Sequence, residues 1–174
     1  DPVAGGEALL VIDVGSRVNA LAVFKDPETG APRLACASGS NVLVFDPVAG
    51  GEALVVLEGH IGWGGMNALT AFTDPATGEP RLVSGSDDGT ARVWNPAAGG
   101  AAIEAEPEGH SELGRALVTF VDPATGALRV ATGSEDKTIR VWDAETGGAL
   151  LVIYVGSGVS ALAFFVDPAT GAPR

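Results

Sequence analysis

Ser84-Gly85-Ser86-Asp87-Asp88-Gly89-Thr90-Ala91-Arg92-Val93-Trp94 and Thr132-Gly133-Ser134-Glu135-Asp136-Lys137-Thr138-Ile139-Arg140-Val141-Trp142 are two copies of one pattern, with their tryptophans 48 positions apart. A repeated unit buries its apolar face only against neighbouring copies. The function of such a chain is therefore sought first on the surface the stacked copies share, ahead of any catalytic pocket.

Working outward from these copies, the turns carry the same period. Asp26-Pro27-Glu28-Thr29-Gly30 recurs at Asp74, Asp122 and Asp167, at spacings of 48, 48 and 45 residues. Asp accepts bonds from nearby backbone amides, Pro presets φ and Gly tolerates positive φ, so each is a tight turn. A second set, Asp46 to Gly51, Asn95 to Gly100 and Asp143 to Gly148, falls between them, and Asp1 to Gly6 repeats it. The intervening runs, such as Leu54 to Leu57, Ala68 to Phe72, Arg81 to Ser84 and Ala91 to Trp94, are short, β-branched, aromatic or alternating. They predict an all-β chain of four antiparallel strands per unit, with no segment periodic enough for a helix.

Composition narrows the function classes. The 174 residues are 46% hydrophobic, enough for a packed core, and 22 acids against ten basic residues give a formal charge of −12. Nucleic acid is not an expected partner, because phosphate binding relies on clustered cations and the chain has only two lysines, Lys25 and Lys137. The single Cys36 forms no intramolecular disulfide, and the longest apolar run, Ala149 to Val155, is far short of the roughly 20 residues of a spanning helix. The expected location is the cytoplasm, without membrane association. A chain opening on Asp1 reads as trimmed or excerpted, and its Gly/Ala-rich composition suggests a bacterial lineage or a consensus-like design.

Gly59-His60 precedes the first copy of the opening pattern and Gly109-His110 the second. Gly-His, Ser-Gly-Ser-x-Asp-x-Thr and Trp-Asp together resemble the WD-repeat β-propeller family, and the similarity spans essentially the whole chain. The resemblance implies blades of four strands, a to d from the axis outward, near 18–57, 67–105 and 116–154. An orphan strand d at 8–12 and a strand a at 159–166 would stay loose at the two ends. Three blades do not close a ring of the usual four to eight. Exposed edges invite pairing with another chain, so closure is expected from self-association or from further blades of a longer array. Residues 6–33 and 147–174 are nearly the same sequence, 141 positions apart. A two-chain ring that sets the loose strand a of one chain beside the loose strand d of the other leaves two strands missing.

His60, Ser84, Asp88 and Trp94, and likewise His110, Thr132, Asp136 and Trp142, contain the residue types of a hydrolase triad. They recur with the repeat, whereas a catalytic site normally occurs once. The resemblance implies instead a hydrogen-bonded chain from Trp through Ser or Thr and His to Asp. No catalytic residue, cofactor or metal site is expected, since two histidines and one cysteine do not make a zinc site and the Asp87-Asp88-Gly89 turn lacks the spaced ligands of a calcium loop. Blade one departs from the pattern. Aligning Ser38-Gly39-Ser40-Asn41 with Ser84-Gly85-Ser86 and Thr90 deletes the counterparts of Asp87, Asp88 and Gly89 and leaves Phe45 at the Trp position. Blade one then keeps one network residue of four and is expected to be the less rigid.

A protein or peptide partner is expected at the loops joining strand d to the next strand a. Ile61, Trp63 and Met66 lie in a loop there, residues 61–66, that carries a two-residue insertion, and Trp63 is the only tryptophan outside the repeat. Glu112, Leu113 and Arg115 are the equivalent set in the next blade. The reading is a non-enzymatic interaction scaffold. Its alternatives are a module whose main property is self-assembly and, more distantly, a propeller enzyme with an axial site.

Overall fold

The computed structural model of the protein describes residues 8–61, 65–100, 102 and 109–167. Eleven strands are present among them: β1 (Val18–Lys25), β2 (Pro32–Ser38), β3 (Asn41–Phe45), β4 (Val55–Glu58), β5 (Met66–Thr73), β6 (Pro80–Ser86), β7 (Ala91–Trp94), β8 (Gly114–Val121), β9 (Leu128–Ser134), β10 (Thr138–Asp143) and β11 (Ala149–Tyr154). They form three sheets in chain order, β1-β2-β3-β4, β5-β6-β7 and β8-β9-β10-β11, and every pairing is antiparallel. The fourth strand expected in the second sheet, ending at 105, falls largely on 101–108, which lie outside the described residues apart from Ala102.

Local chemistry sets this alternation. Asp26 Oδ1 accepts the amides of Glu28 and Thr29 at 3.1 and 3.0 Å, and Gly30 closes the turn with its amide 2.9 Å from the Asp26 carbonyl at φ +70°. The same closure recurs at Gly78 and Gly126. Such turns reverse the chain within a few residues, so adjacent strands pair. The first two strands of each sheet share one irregularity, a register shift across Asn19, Asn67 and Arg115. Each of these residues is the extra one of a β-bulge near the start of its strand.

The core lies between sheets. Ala35, Ala37, Val42, Val44 and Leu57 of the first sheet meet Met66, Leu82 and Trp94 of the second. Val83 and Val93 of the second meet Val130 and Trp142 of the third, with Phe72 and Leu117 alongside. Each sheet is thus covered by the next along the chain.

The register corrects one expectation. Ser38 pairs with Val18 as Ser86 pairs with Met66, and Cys36 faces Leu21 as Ser84 faces Leu69. Ser38 is therefore the counterpart of Ser86, and buried Cys36 stands where Ser84 stands. The β2–β3 turn is one residue shorter than the β6–β7 turn, not three. Ser38-Gly39-Ser40 is identical to Ser84-Gly85-Ser86, but strand pairing sets Cys36-Ala37-Ser38 at that place instead.

Gly89 shows how tightly adjacent sheets meet. It has φ +79°, and a Cβ there would run into the His110 carbonyl oxygen. Gly78, at φ +75°, faces open space. Gly78→Ala is expected to cost about 1 kcal/mol of stability from backbone strain alone. Gly89→Ala should cost clearly more, because a backbone atom of the next unit must also give way. Urea unfolding of the two variants checks the order, and equal losses would contradict it.

Candidate functional site

The most ordered constellation of polar side chains is the one built twice. Gly59 lets His60 pass under the edge of Trp94, whose ring lies 3.0 Å from where a Cβ would be. His60 Nδ1 meets Asp88 Oδ2 at 2.8 Å, and its Nε2 meets Ser84 Oγ at 2.7 Å. Trp94 Nε1 donates to the same Ser84 Oγ at 2.8 Å. The neutral imidazole protonated on Nδ1 satisfies all four groups. Trp94 donates to Ser84, Ser84 to His60 and His60 to the Asp88 carboxylate. The second copy repeats the distances, with His110 2.9 Å from Asp136, 2.7 Å from Thr132, and Trp142 2.9 Å from Thr132. Ser84, Thr132 and both histidines are buried, so neither nucleophile-like hydroxyl faces a substrate.

In the first sheet this chain is absent. Cys36 and Phe45 stand in place of the serine and tryptophan, both buried, and a hydrogen bond links the Ser16 and Ser38 hydroxyls. All four network positions are changed, one more than the sequence alignment indicated.

The residues expected to meet a partner divide. Ile61 is 71% exposed, Glu112 is exposed, and Leu113 and Arg115 are half-buried. Trp63 lies outside the described residues. Met66 is 0% exposed and belongs to the core between the first two sheets, so it presents nothing to a partner. It opens β5, and the strand's inward alternation takes its side chain into the core. The shifted-register residues line the same rim. Arg115 Nε donates to Glu135 Oε1 at 2.8 Å, and Asn67 donates to Asp87 and to the Gly114 carbonyl.

Two segments, residues 51–95 and 105–143, match the family model described as WD domain, G-beta repeat. These two segments are WD repeats. Its fold is similar to the crystal structure of the computationally designed Ika4 protein, at 27% identity and a TM-score of 0.68 over 98% of this chain and 97% of that one. It is also similar to a chain of an active polycomb repressive complex 2 in the basal state. There the identity is 22% and the TM-score 0.55, over 72% of this chain and 27% of that one. No curated protein sequence matches the chain.

On the opposite rim of the WD repeats, sequence reasoning missed a cleft of about 440 Å³ between the second and third blades, lined by Phe72, Arg81, Val93, Thr125, Leu128 and Asp143. The available signal was an arginine at the same place in each repeat. Arg33 bridges Asp26 and Asp46, and Arg129 bridges Asp122 and Asp143, tying the two turn sets together. In the second blade Asn95 replaces the second aspartate, and Arg81 pairs with Glu79 and Asp74. Among the described residues no three metal-ligating side chains converge, and no helix is long and apolar enough to cross a membrane.

The network carboxylates are shifted. Burial alone pushes Asp136 up, but hydrogen bonds from the Thr138 hydroxyl, the His110 ring and the Thr138 amide outweigh it and lower the group from 3.8 to about 2. Asp88 is lowered further by the same balance, with His60 and Thr90 as its donors. A carboxylate held below its unfolded value stabilises the fold fully above that value, and the contribution disappears as pH falls through the folded value. Unfolding free energy is therefore expected to fall between about pH 4 and pH 2. Asp136→Asn should flatten that slope and lower stability at neutral pH by about 1–3 kcal/mol. Denaturant titrations across this range check both.

Proposed function

We propose that the protein is a non-enzymatic interaction scaffold of WD-type blades whose propeller is completed by association of chains. One observation carries this reading: the outer edge and face of the last blade are open and apolar. Leu150 to Tyr154 of β11 are each between 41 and 70% exposed, although the strand is a run of large aliphatic side chains. At the other end Leu9, Val11, Leu21 and Val23 are exposed as well. Single exposed apolar residues are ordinary, but contiguous ones on an edge strand mark an interaction surface. The buried, repeated His–Asp sets support an architectural role over catalysis, since a substrate has no route to them.

A protein or peptide partner fits the loop rim around Ile61, Glu112, Leu113 and Arg115, and the net charge of −12 favours a basic or polar one. A cytoplasmic setting suits the single buried thiol. A module that chiefly self-assembles is the second reading, favoured by the near-duplication of 6–33 at 147–174.

Light scattering on size exclusion tests the proposal. The expected mass is a discrete multiple of the 17.4 kDa chain. A single-chain mass at every concentration, with cooperative unfolding, would overturn closure by association.

A further inference from the structure

We propose that residues 8–14 and 158–166 are internal stand-ins for the neighbouring chain, and that association proceeds head to tail by displacing them; this rests on the self-association reading above. The first observation is where residues 8–14 sit. Leu10, Ile12 and Val14 lie over the open face of the first blade, in a groove with Val18, Leu21, Leu34 and Cys36. Leu10 approaches Gly50, 2.9 Å from where a Cβ would be, as Val55 of β4 approaches Gly99 at 3.4 Å. Glu7-Ala8-Leu9-Leu10-Val11 and Glu52-Ala53-Leu54-Val55-Val56 are matching sequences, so Leu10 occupies against the first blade the place that a real strand d occupies against the second. The segment does so with no strand pairing of its own and leaves about 360 Å³ of groove around it.

The second observation is at the other end. The Val159 amide donates to the Ser134 carbonyl at 2.9 Å, and its side chain packs against Gly133. Phe164 stacks on Phe120 of β8 with ring centroids 4.4 Å apart. Residues 159–166 thus flank the third blade where the innermost strand of a following blade belongs.

Both stand-ins have a better replacement in a second copy. Residues 6–33 and 147–174 agree at 21 of 28 positions, and Ala8-Leu9-Leu10-Val11-Ile12 is identical to Ala149-Leu150-Leu151-Val152-Ile153. The latter is β11, already paired to β10 and exposed. Its seat on another copy is therefore the groove that residues 8–14 now fill, and the seat of that copy's β1 is the flank of β8 that residues 159–166 now fill. One head-to-tail contact exchanges both. The arrangement also removes the missing-strand problem, because the two loose segments leave the ring rather than share a blade.

Equivalent leucines then have opposite effects on assembly. Leu10→Lys weakens the stand-in and should lower the concentration at half-association by about tenfold, while Leu151→Lys weakens the incoming strand and should raise it about tenfold. Phe164→Asp and Val23→Asp form the matching pair at the other contact, with the same opposition. Light scattering over a concentration series reads all four in the full chain, with near-ultraviolet dichroism of the tryptophans confirming the fold. If both members of a pair weaken association, or Leu10→Lys and Phe164→Asp leave it unchanged, the stand-in proposal fails while self-association stands. If wild type and every variant stay single chains, the self-association reading itself fails.

Discussion

A twisted sheet of four strands has two faces, and in this chain both are apolar. The aliphatic side chains of β2, β3 and β4 are buried against Met66, Leu82 and Trp94 of the second sheet, and Val83 and Val93 of that sheet against Val130 and Trp142 of the third. No sheet here holds a core of its own. Apolar surface buried between sheets stabilises at about 25 cal/mol per Å², and the outer face of β11 has no such cover among the described residues. The exposed row on β11 is the direct consequence of that constraint.

The Trp–Ser–His–Asp chains act within this frame. Each carries a buried hydrogen-bond path from the inside of a blade to the turn that touches the next one. Asp88 accepts the Ile61 amide as well as the His60 ring, and Gly89 beside it seats the His110 backbone. The polar network therefore fixes the loops that set the spacing between blades. The first blade holds together with Cys36 and Phe45 at those positions. A thiol and a phenyl ring fill the volume without supplying a directional link, and the Ser16–Ser38 bond ties the loop segment, residues 13–17, to β2.

Much of this was legible in the residues. Asp-Pro-x-Thr-Gly turns reveal hairpins because Asp and Gly have few other reasons to recur at a fixed spacing, and Gly-His with Ser-Gly-Ser-x-Asp-x-Thr revealed the network. Three features were not. The place of Ser38 is hidden because Ser38-Gly39-Ser40 is identical to Ser84-Gly85-Ser86 two residues out of register, and register is a property of pairing. Met66 was read as a loop residue because glycines precede it, although strand alternation takes it inward. The seating of Leu10 on the first blade was hidden because a duplicated segment announces similarity, whereas its position depends on which face lacks a neighbour.

The central claim is that open blade faces are covered by residues 8–14 and 158–166 until another copy replaces them. Hydrogen–deuterium exchange measured across a wide concentration range tests it most directly. The account predicts that protection of 149–154 rises with concentration while protection of 8–17 falls, because one strand takes the seat the other leaves. Exchange rates that ignore concentration in both segments, or protection that rises in both together, would contradict it.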